Sequence, residues 1–214
     1  MSSVAVIDYG MGNLHSIAKA LQHASPEVTV RVVSDKKSIL AADRVVLPGV
    51  GAMRECMAAL HENDLIDVIT QAAENKPFLG VCLGMQALLS SSEENGGVES
   101  LNLISGSVKH FADNLVDAQG ERLKIPHMGW NQVQQHAHPL WQDIPQASRF
   151  YFVHSYFAQP ENSTHIAATT DYPEDFACAI AKDNIFATQF HPEKSHTVGL
   201  QLLNNFLHWN GQTR

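Results

Sequence analysis

The sequence has few of the features that mark several broad classes of protein. It contains no clustered block of lysine or arginine and its formal net charge is −8, so nucleic-acid binding is not expected, because phosphate contacts need grouped cations. No window reaches the roughly 20 apolar residues that a membrane-spanning helix requires, and the first residues show no basic leader. We therefore expect a cytoplasmic protein.

Cysteine is also scarce, with Cys56, Cys82 and Cys178 spread along 214 residues. An odd, dispersed set argues against a disulfide framework and fits a reducing compartment. The twelve histidines include no His-Glu-x-x-His motif, and the sequence has no Cys-x-x-Cys. We interpret His136 and His138, in a polar stretch, as solvated side chains. No metal ion is expected.

A dinucleotide-binding loop is excluded by a missing glycine. Gly10 and Gly12 follow the first apolar run, but His15 stands where the Gly-x-Gly-x-x-Gly fingerprint needs its third glycine. No cofactor is therefore expected.

Short apolar runs alternate with amphipathic segments through the first half of the chain. Strands are predicted at residues 4–8, 28–33, 45–47 and 78–81, and helices at residues 14–21, 53–74 and 85–90. This alternation indicates parallel βαβ units. The second half is mostly strand-like, with runs at 108–111, 149–157, 165–170, 176–181 and 185–190 before a helix at 197–209. We expect one three-layer α/β domain over residues 1–214, with an added antiparallel portion.

The most informative segment is the Gly-x-Cys-x-Gly pattern formed by Gly80, Cys82 and Gly84 between a predicted strand and a helix. This is the cysteine form of the nucleophile elbow, a sharp turn that tolerates only small flanking residues. The cysteine then projects at the carboxyl end of the sheet, where α/β proteins bind ligands. A following helix N-terminus favours a thiolate over a thiol. We interpret Cys56 and Cys178, which lack this context, as packing residues.

A base and an orienting group for this nucleophile are predicted near the end of the chain. His191 and Glu193 flank Pro192, which favours extended backbone at His191. In an extended segment positions i and i+2 point the same way. Glu193 can then accept a proton from one imidazole nitrogen and leave the other for Cys82, which fixes the tautomer.

An oxyanion site requires two N–H donors near the nucleophile. The N–H of Leu83, the residue after Cys82, is the first candidate. The second is Val50, in the Pro-Gly-Val-Gly segment at residues 48–51, whose glycines allow the backbone to approach a substrate closely.

Together these three pieces resemble the class I, or triad, glutamine amidotransferases. The resemblance covers essentially the whole chain and implies their three-layer, flavodoxin-like fold with a mostly parallel central sheet. It also implies that Cys82, His191 and Glu193 form the catalytic triad. Gln86 and Gly51 would lie at the glutamine site.

Further segments look like the glutaminase subunits of imidazole glycerol phosphate synthases: the runs at residues 8–14, 126–131, 151–156 and 189–195. The Pro-His-Met-Gly-Trp-Asn run at 126–131 discriminates best. This resemblance implies histidine biosynthesis and a heterodimer with a separate (β/α)8-barrel cyclase subunit, which receives the ammonia. Asn13, Trp130 and Lys194 are the candidate interface residues.

Three alternatives remain open from the sequence. The chain could serve another synthase of the superfamily, such as anthranilate synthase. It could instead be a non-catalytic regulatory subunit that keeps the fold, although the complete Cys82, His191 and Glu193 set argues against this. A cysteine peptidase is a weaker third alternative, which the family-specific segments disfavour.

Overall fold

The computed structural model describes residues 2–116 and 119–213, so Met1, Asp117, Ala118 and Arg214 of the predicted 1–214 domain lie outside the described residues. The strands are β1 (Ser3–Ile7), β2 (Thr29–Val33), β3 (Arg44–Gly49), β4 (Phe78–Cys82), β5 (Ser91–Ser92), β6 (Val98–Glu99), β7 (Gly106–His110), β8 (His127–Gln132), β9 (Gln134–Gln135), β10 (Arg149–His154), β11 (Tyr156–Pro160), β12 (Ile166–Asp171), β13 (Asp175–Lys182) and β14 (Ile185–Thr188). The helices are α1 (Leu14–Ala24), α2 (Lys36–Ala41), α3 (Met53–Glu62), α4 (Ile66–Asn75), α5 (Leu83–Gln86) and α6 (His196–His208).

The main sheet has a parallel half and a largely antiparallel half. Its strand order begins β2-β1-β3-β4-β14 with every neighbour parallel. It continues through β13, β11 and β7, which pair antiparallel. Strands β8 and β10 form a separate two-stranded antiparallel ribbon. The predicted mostly parallel centre with an antiparallel addition is confirmed.

Strand β1 shows how the three layers arise from a continuous apolar run. Val4 and Val6 face the core that also contains Ile17 of α1 and the apolar side of α6, whereas Ala5 and Ile7 face the core built with α3 and α4. Side chains alternate across a strand, so a strand with helices on both faces must be apolar throughout. Within residues 2–116 and 119–213, no helix is long and apolar enough to cross a membrane.

The single helix predicted over residues 53–74 is wrong, because the structure has two helices there. Asp64 adopts a left-handed φ of 54° after α3 ends. The N–H of Leu65 bonds to the Leu60 carbonyl at 2.9 Å and that of Asp64 to the His61 carbonyl at 2.9 Å. This is a Schellman ending, usually marked by glycine, and here an aspartate takes that position.

Other predicted boundaries also differ from the structure. The strand predicted over 149–157 is interrupted at Ser155, because β10 pairs with the ribbon and β11 with the main sheet. Helix α2 was not predicted; Asp35 caps it by accepting from the Ser38 N–H at 2.9 Å. The helix predicted over 85–90 is also wrong, since α5 spans one turn and the chain soon enters β5.

Candidate active site

Three neighbouring parallel strands deliver the predicted catalytic segments to one edge of the sheet. In the register, Gly49 at the end of β3 is opposite Cys82 at the end of β4. Thr188 at the end of β14 is opposite Val81. The segments that leave these strands begin at Val50, Cys82 and Gln189, so the sheet brings together residues that lie more than a hundred positions apart.

Cys82 has the strained backbone that a nucleophile elbow requires. Its φ of 54° and ψ of −111° place it in a region that non-glycine residues rarely adopt. Gly84 is obligatory there, because a Cβ added to it would lie 1.9 Å from the Leu47 carbonyl oxygen. A Cβ at Gly80 would be tight, at 3.0 Å from the Ala187 Cβ. The requirement for small flanking residues therefore has a direct steric cause.

Helix α5 is a single turn, which weakens the expectation that a helix N-terminus favours a thiolate at Cys82. A helix dipole acts through a run of aligned peptides, so one turn supplies little of the field expected to favour a thiolate. His191 supplies the electrostatic partner instead. Its pKa is lowered by burial, but this is outweighed by the hydrogen bonds and charges of Cys82 and Glu193, which raise the pKa to about 10. A protonated His191 places a positive charge in contact with Cys82.

His191 and Glu193 form a buried pair. The Nδ1 atom of His191 lies 2.8 Å from Glu193 Oε1, and the two side chains are 3% and 2% exposed. The predicted route to this contact is wrong, because residues Pro192–Lys194 form a 3-10 turn rather than an extended segment. His191 itself is extended, and the proline starts the turn that returns Glu193 to the ring.

Ser195 fixes the backbone that carries His191. Its Oγ donates to the His191 carbonyl at 2.7 Å and accepts from the Tyr151 N–H at 3.0 Å. The His191 N–H in turn donates to the Tyr151 carbonyl at 2.9 Å. Strand β10 is thereby joined to His191 through backbone and side-chain hydrogen bonds.

Two buried glutamines form a hydrogen-bonded series that ends at the Cys82 sulfur. Gln189 Nε2 lies 3.7 Å from Cys82 Sγ as a donor, and Gln86 Nε2 donates to Gln189 Oε1 at 2.9 Å and to the Tyr156 carbonyl at 3.0 Å. Gln86 was predicted at the substrate site. The role of Gln189 was missed, because only the fold shows that the residue after β14 faces Cys82.

A cavity of about 330 Å³ opens beside Cys82. Val50, Gly51, Leu83 and Gln86, all predicted oxyanion or glutamine contacts, line it together with His191. Glu94, from the 3-10 segment Glu94–Gly96, is the one carboxylate among the described residues that line this cavity. One Glu94 oxygen accepts from the Met53 N–H at 2.7 Å.

The remaining wall of the cavity comes from β10 and the start of β11. Val153, His154, Ser155 and Tyr156 line it, together with Pro126. Ser155 separates β10 from β11, so this break, which was not predicted from the sequence, forms part of the cavity wall.

Two of the three interface candidates lie together beside this site. Trp130 is 38% exposed and stacks on His196 with ring centroids 5.0 Å apart, so it is not a core aromatic. Lys194 is exposed and its Nζ lies 5.9 Å from the centre of the Tyr151 ring, which contacts Trp130 edge-on. Asn13 is half-buried at the N-terminus of α1.

Other cysteines and histidines have structural surroundings. Cys56 and Cys178 are fully buried in the two apolar cores. His136 is exposed, as expected, but the interpretation of His138 as solvated is wrong. The His138 ring packs 4.7 Å from Phe186, and its Nδ1 accepts from the Leu140 N–H at 3.2 Å. Among the described residues, no group of three or more His, Cys, Asp or Glu could hold a metal ion.

Three buried histidines should make the protein less stable at mildly acidic pH. Burial lowers the pKa of His127 and His138 to about 4 and that of His154 to about 3. Below pH 6.5, the approximate pKa of histidine in the unfolded chain, the unfolded chain binds protons that the folded chain does not. The free energy of unfolding therefore falls as the pH falls, by up to about 1.4 kcal/mol per pH unit for each histidine.

Urea unfolding at pH 7, 6 and 5 measures this slope. This pH range lies above the pKa of about 4 that carboxylates have in the unfolded chain. Histidine titration therefore dominates the pH dependence of the free energy of unfolding. The variant His138→Phe, which fills the same apolar space without a titrating ring, should flatten the slope. A free energy of unfolding that stays constant or rises from pH 7 to 5 would contradict the assignment.

Comparison with known proteins gives one consistent result. A sequence profile described as "Glutamine amidotransferase class-I" matches residues 5–209. A relative named imidazole glycerol phosphate synthase subunit HisH, from Methylococcus capsulatus, is 63% identical over 98% of this chain and 97% of its own length. The protein of the same name from Acinetobacter baylyi is 59% identical over 98% of this chain and 100% of its own length.

Solved structures show the same fold at low sequence identity. A crystal structure described as a glutamine amidotransferase superposes with a TM-score of 0.72 at 15% identity, covering 96% of this chain and 97% of that one. A structure described as PurLQS, from Thermotoga maritima, gives a TM-score of 0.71 at 15% identity, covering 97% of this chain and 98% of that one.

Proposed function

This chain belongs to the class-I glutamine amidotransferase family, and we propose that Cys82, His191 and Glu193 carry out its glutamine hydrolysis. Its function is that of the glutaminase subunit of imidazole glycerol phosphate synthase, in histidine biosynthesis. The observation that carries the residue assignment is the strained Cys82 in contact with a buried His191–Glu193 pair. We propose that a single amidotransferase domain spans residues 1–214.

In the proposed reaction, the Cys82 thiolate attacks the side-chain carbonyl carbon of glutamine. A tetrahedral oxyanion forms, His191 gives its proton to the departing nitrogen, and ammonia leaves a thioester on Cys82. His191 then takes a proton from water, which attacks the thioester and releases glutamate. Glu193, bonded to Nδ1, keeps the ring oriented so that Nε2 faces the sulfur.

The oxyanion is assigned to the N–H groups of Leu83 and Val50. Both residues line the cavity, and both belong to segments that leave adjacent strand ends. Loss of one such donor typically costs about 3–4 kcal/mol of transition-state stabilisation. Gln86 and Gly51 line the same cavity and are assigned to the bound substrate.

Glu94 is assigned to the α-ammonium group of glutamine, because it is the cavity's carboxylate. Glu94→Gln should raise the KM for glutamine about 10- to 100-fold, since a hydrogen bond to a charged group contributes about 1.5–3 kcal/mol. The amide oxygen can still accept from the Met53 N–H, so helix α3 keeps its cap. Steady-state glutamate release gives KM and kcat.

The matched control is Glu93→Gln, which removes the neighbouring carboxylate that pairs with Lys109 outside the cavity. Its KM should remain that of the unsubstituted protein. Equal KM changes in the two variants would show that general negative charge, rather than Glu94, attracts the substrate.

We propose that the partner is a (β/α)8-barrel cyclase, which uses the ammonia to make imidazole glycerol phosphate and the aminoimidazole carboxamide ribonucleotide. The proposed interface is the side of the site that bears Met128, Trp130 and Lys194, and Asn13 remains a predicted interface residue. Met128 is 62% exposed and Trp130 38%, both on the outer side of the β8–β10 ribbon. Exposed large apolar side chains grouped beside an active site are typical of a protein interface.

The three free cysteines fit a reducing compartment, and we propose the cytoplasm as the location of the protein.

The test is ammonia and glutamate release from glutamine, measured with the chain alone and with the purified cyclase barrel plus its nucleotide ligand. A large increase with the barrel supports the assignment. Activation by the synthase component of anthranilate synthesis instead would support another member of the superfamily. No release under any condition would support a non-catalytic regulatory subunit.

A further inference from the structure

Two buried histidines, outside the proposed triad, face each other across the β8–β10 ribbon. His127 and His154 are paired in the strand register, and their side chains meet with His127 Nδ1 2.9 Å from His154 Nε2. The residues are 4% and 6% exposed. The His127 ring is also stacked between Phe152 and Tyr172, at centroid distances of 4.9 and 4.1 Å. Two imidazoles held this way are a specific hydrogen-bonded unit rather than incidental core filling.

The direction of each hydrogen bond follows from the acceptor at the end of the unit. His154 Nδ1 lies 2.7 Å from the Tyr156 carbonyl, which can only accept, so this nitrogen carries the proton. In a neutral ring Nε2 then accepts, and His127 must donate from its own Nδ1. Both rings are therefore assigned the Nδ1–H tautomer.

The same Tyr156 carbonyl links the histidines to the nucleophile. It accepts from Gln86 Nε2 at 3.0 Å as well as from His154. Gln86 Nε2 also donates to Gln189 Oε1 at 2.9 Å, which leaves the Gln189 amide group to donate to Cys82 Sγ at 3.7 Å. A continuous series of hydrogen bonds thus runs from His127 to the sulfur.

The pair also forms the wall between two cavities. His154 lines the catalytic cavity beside Cys82. His127 lines a surface groove of about 450 Å³ that also includes Met128, Trp130 and Asn131. Asn131 Nδ2 lies 3.5 Å from His127 Nε2 on the groove side. The hydrogen-bonded histidine pair therefore connects the surface groove, which His127 lines, to the proposed glutamine site, which His154 lines.

We propose that His127 and His154 are positioning residues for glutamine hydrolysis: they hold the Tyr156 carbonyl, and through Gln86 and Gln189 they orient the donor that faces the Cys82 sulfur. The inference rests on the proposed glutaminase function of Cys82. It assigns a role to the His-containing run at residues 126–131 in addition to its contribution to the proposed interface.

Two substitutions of His127 separate the hydrogen bond from the packing. In His127→Asn the amide nitrogen can replace Nδ1 as donor, but the stacked ring is lost. In His127→Phe the ring remains between Phe152 and Tyr172, but His154 Nε2 loses its donor. We expect His127→Phe to lower kcat about 10- to 100-fold, as misplacement of groups near the reacting atoms does. His127→Asn should keep most of the activity while unfolding at lower urea concentration.

A purely structural role predicts the reverse order. Asn would then impair activity more than Phe, because it leaves a cavity in the core, and that result would overturn the proposal. The measurements are kcat and KM for glutamine, with urea unfolding of each variant, all in the presence of the cyclase barrel. Cys82→Ala is measured in parallel to test the proposed glutaminase function separately. If the unsubstituted chain releases glutamate and Cys82→Ala does not, the glutaminase function is supported whatever the histidine variants show.

Nitrogen-15 NMR of the histidine rings in the unsubstituted protein keeps the proposal testable if a variant fails to fold. At pH 7 both His127 and His154 should show a protonated Nδ1 and an unprotonated Nε2. A protonated Nε2 on His154 would break the assigned donor series and overturn the proposal.

Discussion

Replacing Cys82 with alanine should abolish glutamate release while leaving the fold intact. In the proposed mechanism the Cys82 sulfur forms the thioester, and alanine offers no atom that can form this bond. Loss of a catalytic nucleophile lowers kcat by roughly 10⁴- to 10⁶-fold. The measurement is glutamate production with the cyclase barrel present, together with circular dichroism to show that the variant is folded.

The matched control is Cys178→Ala, which removes a fully buried cysteine from the core. This variant should lose stability because it leaves a small cavity, but it should retain glutamine turnover. Retained turnover in Cys82→Ala, or equal loss in both variants, would contradict the assignment of Cys82 as nucleophile.

Replacing Gly84 with alanine should strongly destabilise the protein. The added Cβ would lie 1.9 Å from the Leu47 carbonyl oxygen, and no side-chain rotation can relieve the clash because the backbone fixes the position of both atoms. Severe overpacking of this kind costs about 3 kcal/mol or more. Movement of α5 away from β3 would also shift Leu83 and Cys82, so glutamine turnover should fall with stability. Urea unfolding and turnover of the same preparation measure both.

The control for this substitution is Gly10→Ala. Gly10 has a φ of +88° and no atom within 4 Å of an added Cβ, so the variant carries backbone strain without a clash. The expected cost is about 1–2 kcal/mol. If Gly84→Ala were as stable as Gly10→Ala, the close approach of α5 to β3 would be wrong.

The parallel half of the sheet could be predicted from the sequence for a clear physical reason. Strands covered on both faces must be apolar at every position, which makes β1 and β4 visible as continuous runs. The Gly80-Cys82-Gly84 pattern was equally readable, because a strained turn against neighbouring backbone excludes side chains at defined positions. Both features can be recognised from local sequence, although the atoms that exclude a side chain at Gly84 belong to Leu47 of β3.

Elements that depend on distant partners could not be predicted in this way. Strand β8 contains Gly129 and Asn131 and exists because it pairs with β10. The break after α3 uses Asp64 in place of the usual glycine. Gln189 and Glu94 have no local signature, since they reach the site only when β14 and the segment after β5 are in position.

The predicted triad combines features that local sequence indicates with geometry that only the fold shows. His191 and Glu193 were correctly expected to meet, but the contact is made through the 3-10 turn Pro192–Lys194. The helix after Cys82 is a single turn rather than the longer one predicted, and the positive charge beside Cys82 comes from His191. The composition of a motif can therefore be informative even when the local geometry inferred from it is wrong.

The most direct test of Cys82 as the nucleophile is covalent labelling with a glutamine analogue that carries an electrophilic diazo ketone in place of the side-chain amide. With the cyclase barrel present, intact-mass analysis and peptide mapping should show one adduct on Cys82, with ammonia release lost in proportion to labelling. Excess glutamine should slow the labelling. An adduct on Cys56 or Cys178, or full inactivation without modification of Cys82, would contradict the assignment of Cys82 as the nucleophile.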